Sequence, residues 1–164
     1  MSTVVEKIYA DCAPNQAPEY LERFFSMQTQ GSEGKIIVPL RAPMDVAGFT
    51  RSLEKSVNVV ISAARTGTDM IPRIALRWEP ASGGPFPTFQ GTLALEADED
   101  YSACALVLRG DYTPPLGIAG KTFDAAFGRR IARATARELL ERIREFIEAA
   151  YQETEREKRT HAPV

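Results

Sequence analysis

AAFGRRIARATARELLERIREFIEAA, residues 125–150, contains no proline and a single glycine, and its small and apolar residues recur at helical spacing. The stripe runs Ala125, Gly128, Ala132, Ala136, Leu139, Ile143, Phe146, Ala150, with steps of 3, 4, 4, 3, 4, 3 and 4. Steps of that kind keep one face of a 3.6-residue helix for about seven turns. Phe123, Phe127, Ile131 and Ala134 widen the stripe toward its N-terminal end, and Glu138/Arg142 and Arg144/Glu148 line the solvated side as i,i+4 pairs. The pattern predicts one helix over roughly Thr122–Glu155, with Thr122 as its N-cap. Such a helix reaches ~50 Å and a nine-residue strand only ~30 Å. Its last turns must overhang any sheet it packs on, and 156–164 reads as a solvated, flexible tail.

The period changes upstream. Val57, Val59 and Ile61 alternate, as do Ile74, Leu76 and Trp78, then Phe89, Gly91, Leu93 and Leu95, then Cys104, Leu106, Leu108 and Tyr112. Period-two apolar runs rich in branched and aromatic residues predict strands. Turns are expected at Arg65–Asp69, Glu79–Pro87 and Ala97–Asp100. Connections this short, with no helix between, allow only antiparallel pairing. Ile36-Ile37-Val38 predicts a further strand, placed by Pro39 at an edge or strand end. Met44–Leu53 is ambiguous between loop and helical turn. Pro18 followed by Tyr20, Leu21, Phe24 and Phe25 predicts a short helix whose aromatic face is buried. The predicted class is α+β: a curved antiparallel meander gripping one long C-terminal helix, with 1–34 as an N-terminal extension and 35–155 as the main domain.

Composition narrows the functional classes. Twenty basic and twenty-two acidic side chains among 164 residues give a net charge of −2, so no global field favours nucleic acid or an anionic membrane. Two cysteines, Cys12 and Cys104, make no disulfide framework. The first residues lack a signal-peptide pattern, and no apolar run approaches the ~20 residues of a membrane span. A cytoplasmic, reduced protein is the expectation.

Gly110-Asp111-Tyr112-Thr113-Pro114-Pro115-Leu116-Gly117, then Phe123-Asp124 and Gly128-Arg129-Arg130-Ile131-Ala132, with Trp78-Glu79-Pro80 and Phe89-Gln90-Gly91-Thr92-Leu93, carry a family resemblance. Over residues 57–150 the chain resembles uncharacterised bacterial members of the START-like, or SRPBCC, helix-grip superfamily. The resemblance implies a sheet wrapped around the C-terminal helix, with an apolar ligand held between them in many members. The superfamily includes lipid carriers and polyketide aromatases and cyclases. Its usual first strand and two short helices are not evident in the N-terminal third here.

Motifs for conventional chemistry fail on inspection. Gly120-Lys121-Thr122 would close a phosphate loop, but the required first glycine is Pro115. Arg109-Gly110-Asp111 lies inside a predicted strand, where Arg109 and Asp111 share a face and can pair with Arg73 or Arg77. Arg129, Arg130, Arg133 and Arg137 form a basic flank without interleaved aromatics, so bases have no stacking platform. His161, the only histidine, stands in the polar tail, and no metal-ligand spacing occurs. No catalytic residue, metal or cofactor is assigned. The expected ligand-binding residues are Trp78, Phe89, Leu93, Leu106, Leu108 and Tyr112 on strands, facing Phe127, Ile131, Ala132 and Ala136 on the helix. The reading is a non-enzymatic binder of a small apolar or amphipathic molecule, lipid-like or polyketide-like. Its rivals are a cofactor-free cyclase or dehydratase, and a homodimeric interaction module with a filled core. Small residues in the helix stripe fit either close packing or a hollow.

Overall fold

The computed structural model describes residues 2–28, 35–45, 52–68, 71–81, 87–113 and 125–161. Six strands and two helices follow in the order β1 (Ser2–Ala10), α1 (Ala17–Gln28), β2 (Lys35–Asp45), β3 (Ser52–Thr68), β4 (Ile71–Pro80), β5 (Thr88–Ala97), β6 (Cys104–Thr113) and α2 (Ala125–Thr160). All neighbouring strands pair antiparallel in one sheet of order β1-β6-β5-β4-β3-β2. Strands β2–β6 are the meander that the alternation predicts. Both edge strands, β1 and β2, pack on α2 although four strands separate them, so the sheet curls around the helix.

Register sets the inner face. Trp78 pairs with Ile61 and Phe89, Phe89 with Tyr112, and Leu93 with Ile74 and Leu108. Directly opposed residues point to the same side of a sheet, so these side chains form one apolar surface. All are buried, as are Ile131, Ala132, Ala136, Leu139, Leu140, Ile143 and Ile147 of α2. The helix docks by its small-to-apolar stripe, and Arg129, Arg133 and Arg137 stay exposed. Pro39 and Pro43 fall on β2, an edge strand, where a missing N–H costs no ladder bond on the open side.

Several expectations need correction. A first strand is present after all: β1 pairs with β6 from Ser2↔Tyr112 to Ala10↔Cys104. Its alternation is masked because Glu6 points inward, 7% exposed, while Val5 and Tyr9 point outward at 46% and 57%. The turn expected at Arg65–Asp69 is strand through Thr68, since β3 and β4 stay paired as far as Thr68↔Ile71. Met44–Leu53 is neither loop nor helix at its ends, where β2 and β3 pair from Met44↔Leu53 to Asp45↔Ser52. Thr122 and the Gly120-Lys121 segment lie outside the described residues.

Helix α2 continues past Gln152 to Thr160, with α1 packed on it as far as Thr154 and residues 156–160 exposed. Phe24 meets Phe146 edge-on at 5.5 Å, and the Tyr20 hydroxyl donates to Thr154 Oγ1 at 2.9 Å. Tyr20, Leu21, Phe24 and Phe25 are all buried, so the aromatic face of α1 closes the end of the grip. The strand-to-helix tie at Asp11, whose N–H donates to Glu148 Oε1 at 2.9 Å, fixes the end of β1 on α2.

Candidate functional site

Two glycines build the floor of the interior. Gly91 and Gly110 face each other across β5 and β6, and a Cβ on either would fall 2.6 Å from Phe89 Cζ. The Phe89 ring therefore lies directly on bare backbone, where only glycine leaves room. Trp78 stacks on Phe89 at 3.9 Å between centroids, with 10° between the planes. These two rings are the centre of the inner face.

The structure brings together nine of the ten expected ligand-binding residues. Trp78, Phe89, Leu93, Leu106, Leu108 and Tyr112 share the inner face, opposite Ile131, Ala132 and Ala136. Phe127 lies on α2 with its side chain outside the described residues. Each of the nine leaves 2% or less of its surface open. The described interior is thus packed in the manner normal for protein cores.

Within that apolar packing two polar atoms have no partner among the described residues. Trp78 Nε1, a donor, and Thr135 Oγ1 on α2 are buried without a hydrogen bond. An orphaned buried donor costs about 1–3 kcal/mol relative to a satisfied one, and such atoms are uncommon in folded proteins. The buried Glu6 carboxylate is satisfied: its Oε1 accepts from Arg133 Nε at 2.6 Å, with the arginine side chain 61% exposed at the rim. The sequence alone reads Arg133 as solvated surface and gives no sign of Glu6.

The cysteines meet at the end of β1. Ala10 pairs with Cys104, and Cys12 lies two residues beyond. Both thiols are free and buried. Burial pushes Cys12 up to about 12 and Cys104 up to about 11, with Cys104, Asp11 and Glu148 adding to the first and Glu148 and Asp98 to the second. Thiols that hold their protons so firmly are poor nucleophiles. Among the described residues no group of three or more His, Cys, Asp or Glu is placed to hold a metal, and no helix is long and apolar enough to cross a membrane.

Two concavities lie elsewhere. A groove of about 970 Å³ crosses the outer face of the sheet, where Ser62, Arg77, Gln90 and Asp111 stand side by side in one register row. Arg109 and Asp111 are on this outer face, so neither is an interior polar group. Asp111 accepts from Thr3 Oγ1 at 2.8 Å, and Arg77 leans toward Glu79 at 3.9 Å; the pairing expected between them does not form. A smaller pocket of about 250 Å³ opens between α1 and the paired ends of β3 and β4. Sequence gives no sign of it, because it exists only where α1 is laid over that hairpin.

Known structures share this architecture. A protein of Thermus thermophilus is similar over 91% of this chain and 99% of its own, with a TM-score of 0.54 at 15% identity. A conserved protein from Geobacillus kaustophilus is similar over 92% of this chain and 97% of its own, with a TM-score of 0.59 at 12% identity. A START superfamily protein from Mycobacterium smegmatis aligns over 93% and 98% of the two chains, with a TM-score of 0.48 at 10% identity. No family model matches the chain, and no curated protein matches it. A curled antiparallel sheet closed on one long C-terminal helix is the helix-grip architecture, and it is the fold of this chain.

Proposed function

We propose that this protein is a non-enzymatic binder of a small amphipathic molecule, held between the inner sheet face and α2. The observation that carries the reading is the Trp78 indole N–H, fully buried at the centre of an apolar surface with no acceptor among the described residues. A ligand carbonyl or hydroxyl oxygen placed there removes the cost of the orphaned donor, and its apolar body packs on the Phe89, Leu93, Leu108, Ile131 and Ala132 side chains. Because the described interior is filled, the ligand enters by displacing side chains rather than by filling a standing void.

A second reading rests on the same packing. Nine lining residues open by 2% or less fit an interaction module whose core is simply complete. Mass spectrometry of freshly purified protein under native conditions separates the two. The binder reading predicts a stoichiometric adduct of a small apolar molecule, lost when Trp78→Ala is made. Bare protein, with an apolar probe failing to bind on titration, contradicts it and leaves the interaction module.

A further inference from the structure

The outer face of the sheet carries charge that packing does not explain. Strand alternation turns Arg73 and Arg77 of β4 and Arg109 of β6 outward, away from the buried Ile74, Leu76, Trp78 and Leu108, and all three arginines are exposed. Register sets their spacing. Arg109 pairs with Thr92 and Thr92 with Ala75, while Arg73 and Arg77 stand two residues to either side of Ala75. With strands about 4.8 Å apart and about 3.3 Å of rise per residue, each arginine Cα lies about 7 Å from the midpoint of Thr92 and Ala75. An extended arginine side chain spans that distance. Three guanidiniums therefore frame a platform of two small side chains.

The neighbouring carboxylates leave this charge in place. Glu96 is taken by Lys7, Asp111 accepts from Thr3, and Arg77 reaches Glu79 only at 3.9 Å. Arg73 and Arg109 have no ion-pair partner among the described residues. Guanidinium groups match phosphate oxygens through paired, charge-assisted hydrogen bonds. Ala75, Thr92 and Arg77 also line the groove of about 970 Å³, which continues over Ser62, Gln90 and Asp111. Those hydroxyl, amide and carboxylate groups suit a ligand rich in hydroxyls. Among the described residues no aromatic side chain stands on the outer face of β4, β5 or β6, so a nucleobase has nothing to stack on.

From this we infer that the outer groove binds a phosphorylated polyol, a molecule of the sugar-phosphate class. Arg73, Arg77 and Arg109 hold the phosphate over Thr92, and Gln90 and Asp111 take the hydroxyls. The site lies on the opposite face of the sheet from the interior and stands independently of the binder reading above.

Chemical-shift titration of the whole protein at low ionic strength with glucose 6-phosphate, inorganic phosphate and glucose tests it. Glucose 6-phosphate is expected to bind about tenfold tighter than inorganic phosphate, both shifting the Ala75 and Thr92 amides, and glucose to cause no shift. R73Q and R109Q should each weaken both phosphate probes about tenfold, and added salt should weaken them further. D111N should shrink the advantage of glucose 6-phosphate over phosphate. R129Q removes an exposed charge from α2 and should leave every affinity unchanged. Absence of binding by both phosphate probes, or losses in R129Q as large as those in R73Q and R109Q, overturns the site. Equal affinities for glucose 6-phosphate and inorganic phosphate overturn the ligand class.

Discussion

Replacing Gly110 by alanine should damage this fold far more than the size of a methyl group suggests. In an ordinary strand the change from glycine to alanine is favourable by about 0.5–1 kcal/mol, because glycine has more freedom to lose. Here the new Cβ would fall 2.6 Å from Phe89 Cζ, and closer still to Gly91 Cα and the Gln90 carbonyl oxygen. The last two atoms are backbone, so no rotamer change relieves them. Either β5 and β6 separate locally or the Phe89 ring lifts away from Trp78. Overpacking of this kind costs about 1–3 kcal/mol, and a disturbed aromatic stack adds about 0.5–1.5 kcal/mol. A net loss of about 3 kcal/mol corresponds to a Tm lowered by about 6–12 °C in a chain of this length. Thermal melts followed by circular dichroism give the shift, and the near-ultraviolet signal of the single tryptophan reports the stack. Phe89→Leu in the same background should recover only part of the loss, since the backbone contacts persist. A Gly110→Ala variant that melts within a degree of the parent would refute the ring-on-glycine floor.

Further expectations follow from individual groups. Arg133→Met leaves Glu6 buried without its cation and should destabilise by about 1–2 kcal/mol, less than the cost of a fully buried pair because the arginine is mostly exposed; Glu6→Gln should cost less, and urea melts compare the two. Both cysteines should resist alkylation in the folded protein and react promptly in denaturant. Because their folded pKa values lie above the unfolded one near ~8.5, their stabilising contribution is complete below that pH and is lost as pH rises toward about 11 and 12, which alkaline melts would record. Asp98 accepts from the Ala103 and Ser102 N–H groups and from the Ser102 hydroxyl, which hold its carboxyl below the usual range. That contribution is present above the ordinary carboxylate pKa and disappears on acidification through the lowered one, so amide exchange at Ser102 and Ala103 should accelerate there. Ala132→Leu adds volume where no surface is open and should destabilise by about 1–3 kcal/mol; an unchanged or raised melting temperature would show that the interior has room.

The parts of the fold legible in the sequence are those whose pattern is local. β4, β5 and β6 alternate cleanly, and the helix stripe holds its spacing without interruption, so each element announces its own period. β1 does not, since Glu6 takes an inner position by virtue of Arg133, 127 residues away, and Val5 and Tyr9 take outer ones. The packing of α2 beyond the sheet is hidden for the same reason: Phe146 and Thr154 meet Phe24 and Tyr20 of α1, which nothing near Gln152 reveals. Trp78 and Phe89 are readable as inner aromatics from alternation alone. That the indole N–H has no acceptor, and that a pocket forms where α1 crosses the β3–β4 hairpin, depend on where separate elements come to rest.

Trp78 is the only tryptophan, so a proton–nitrogen correlation spectrum contains one indole cross-peak. Titrating a long-chain methyl ketone against that peak tests the central claim most directly. The account predicts a saturable downfield shift of the indole proton, as the orphaned N–H gains an acceptor, and a smaller shift with the matching alkane. An indole peak that stays in place while the ketone reaches its solubility limit would contradict it.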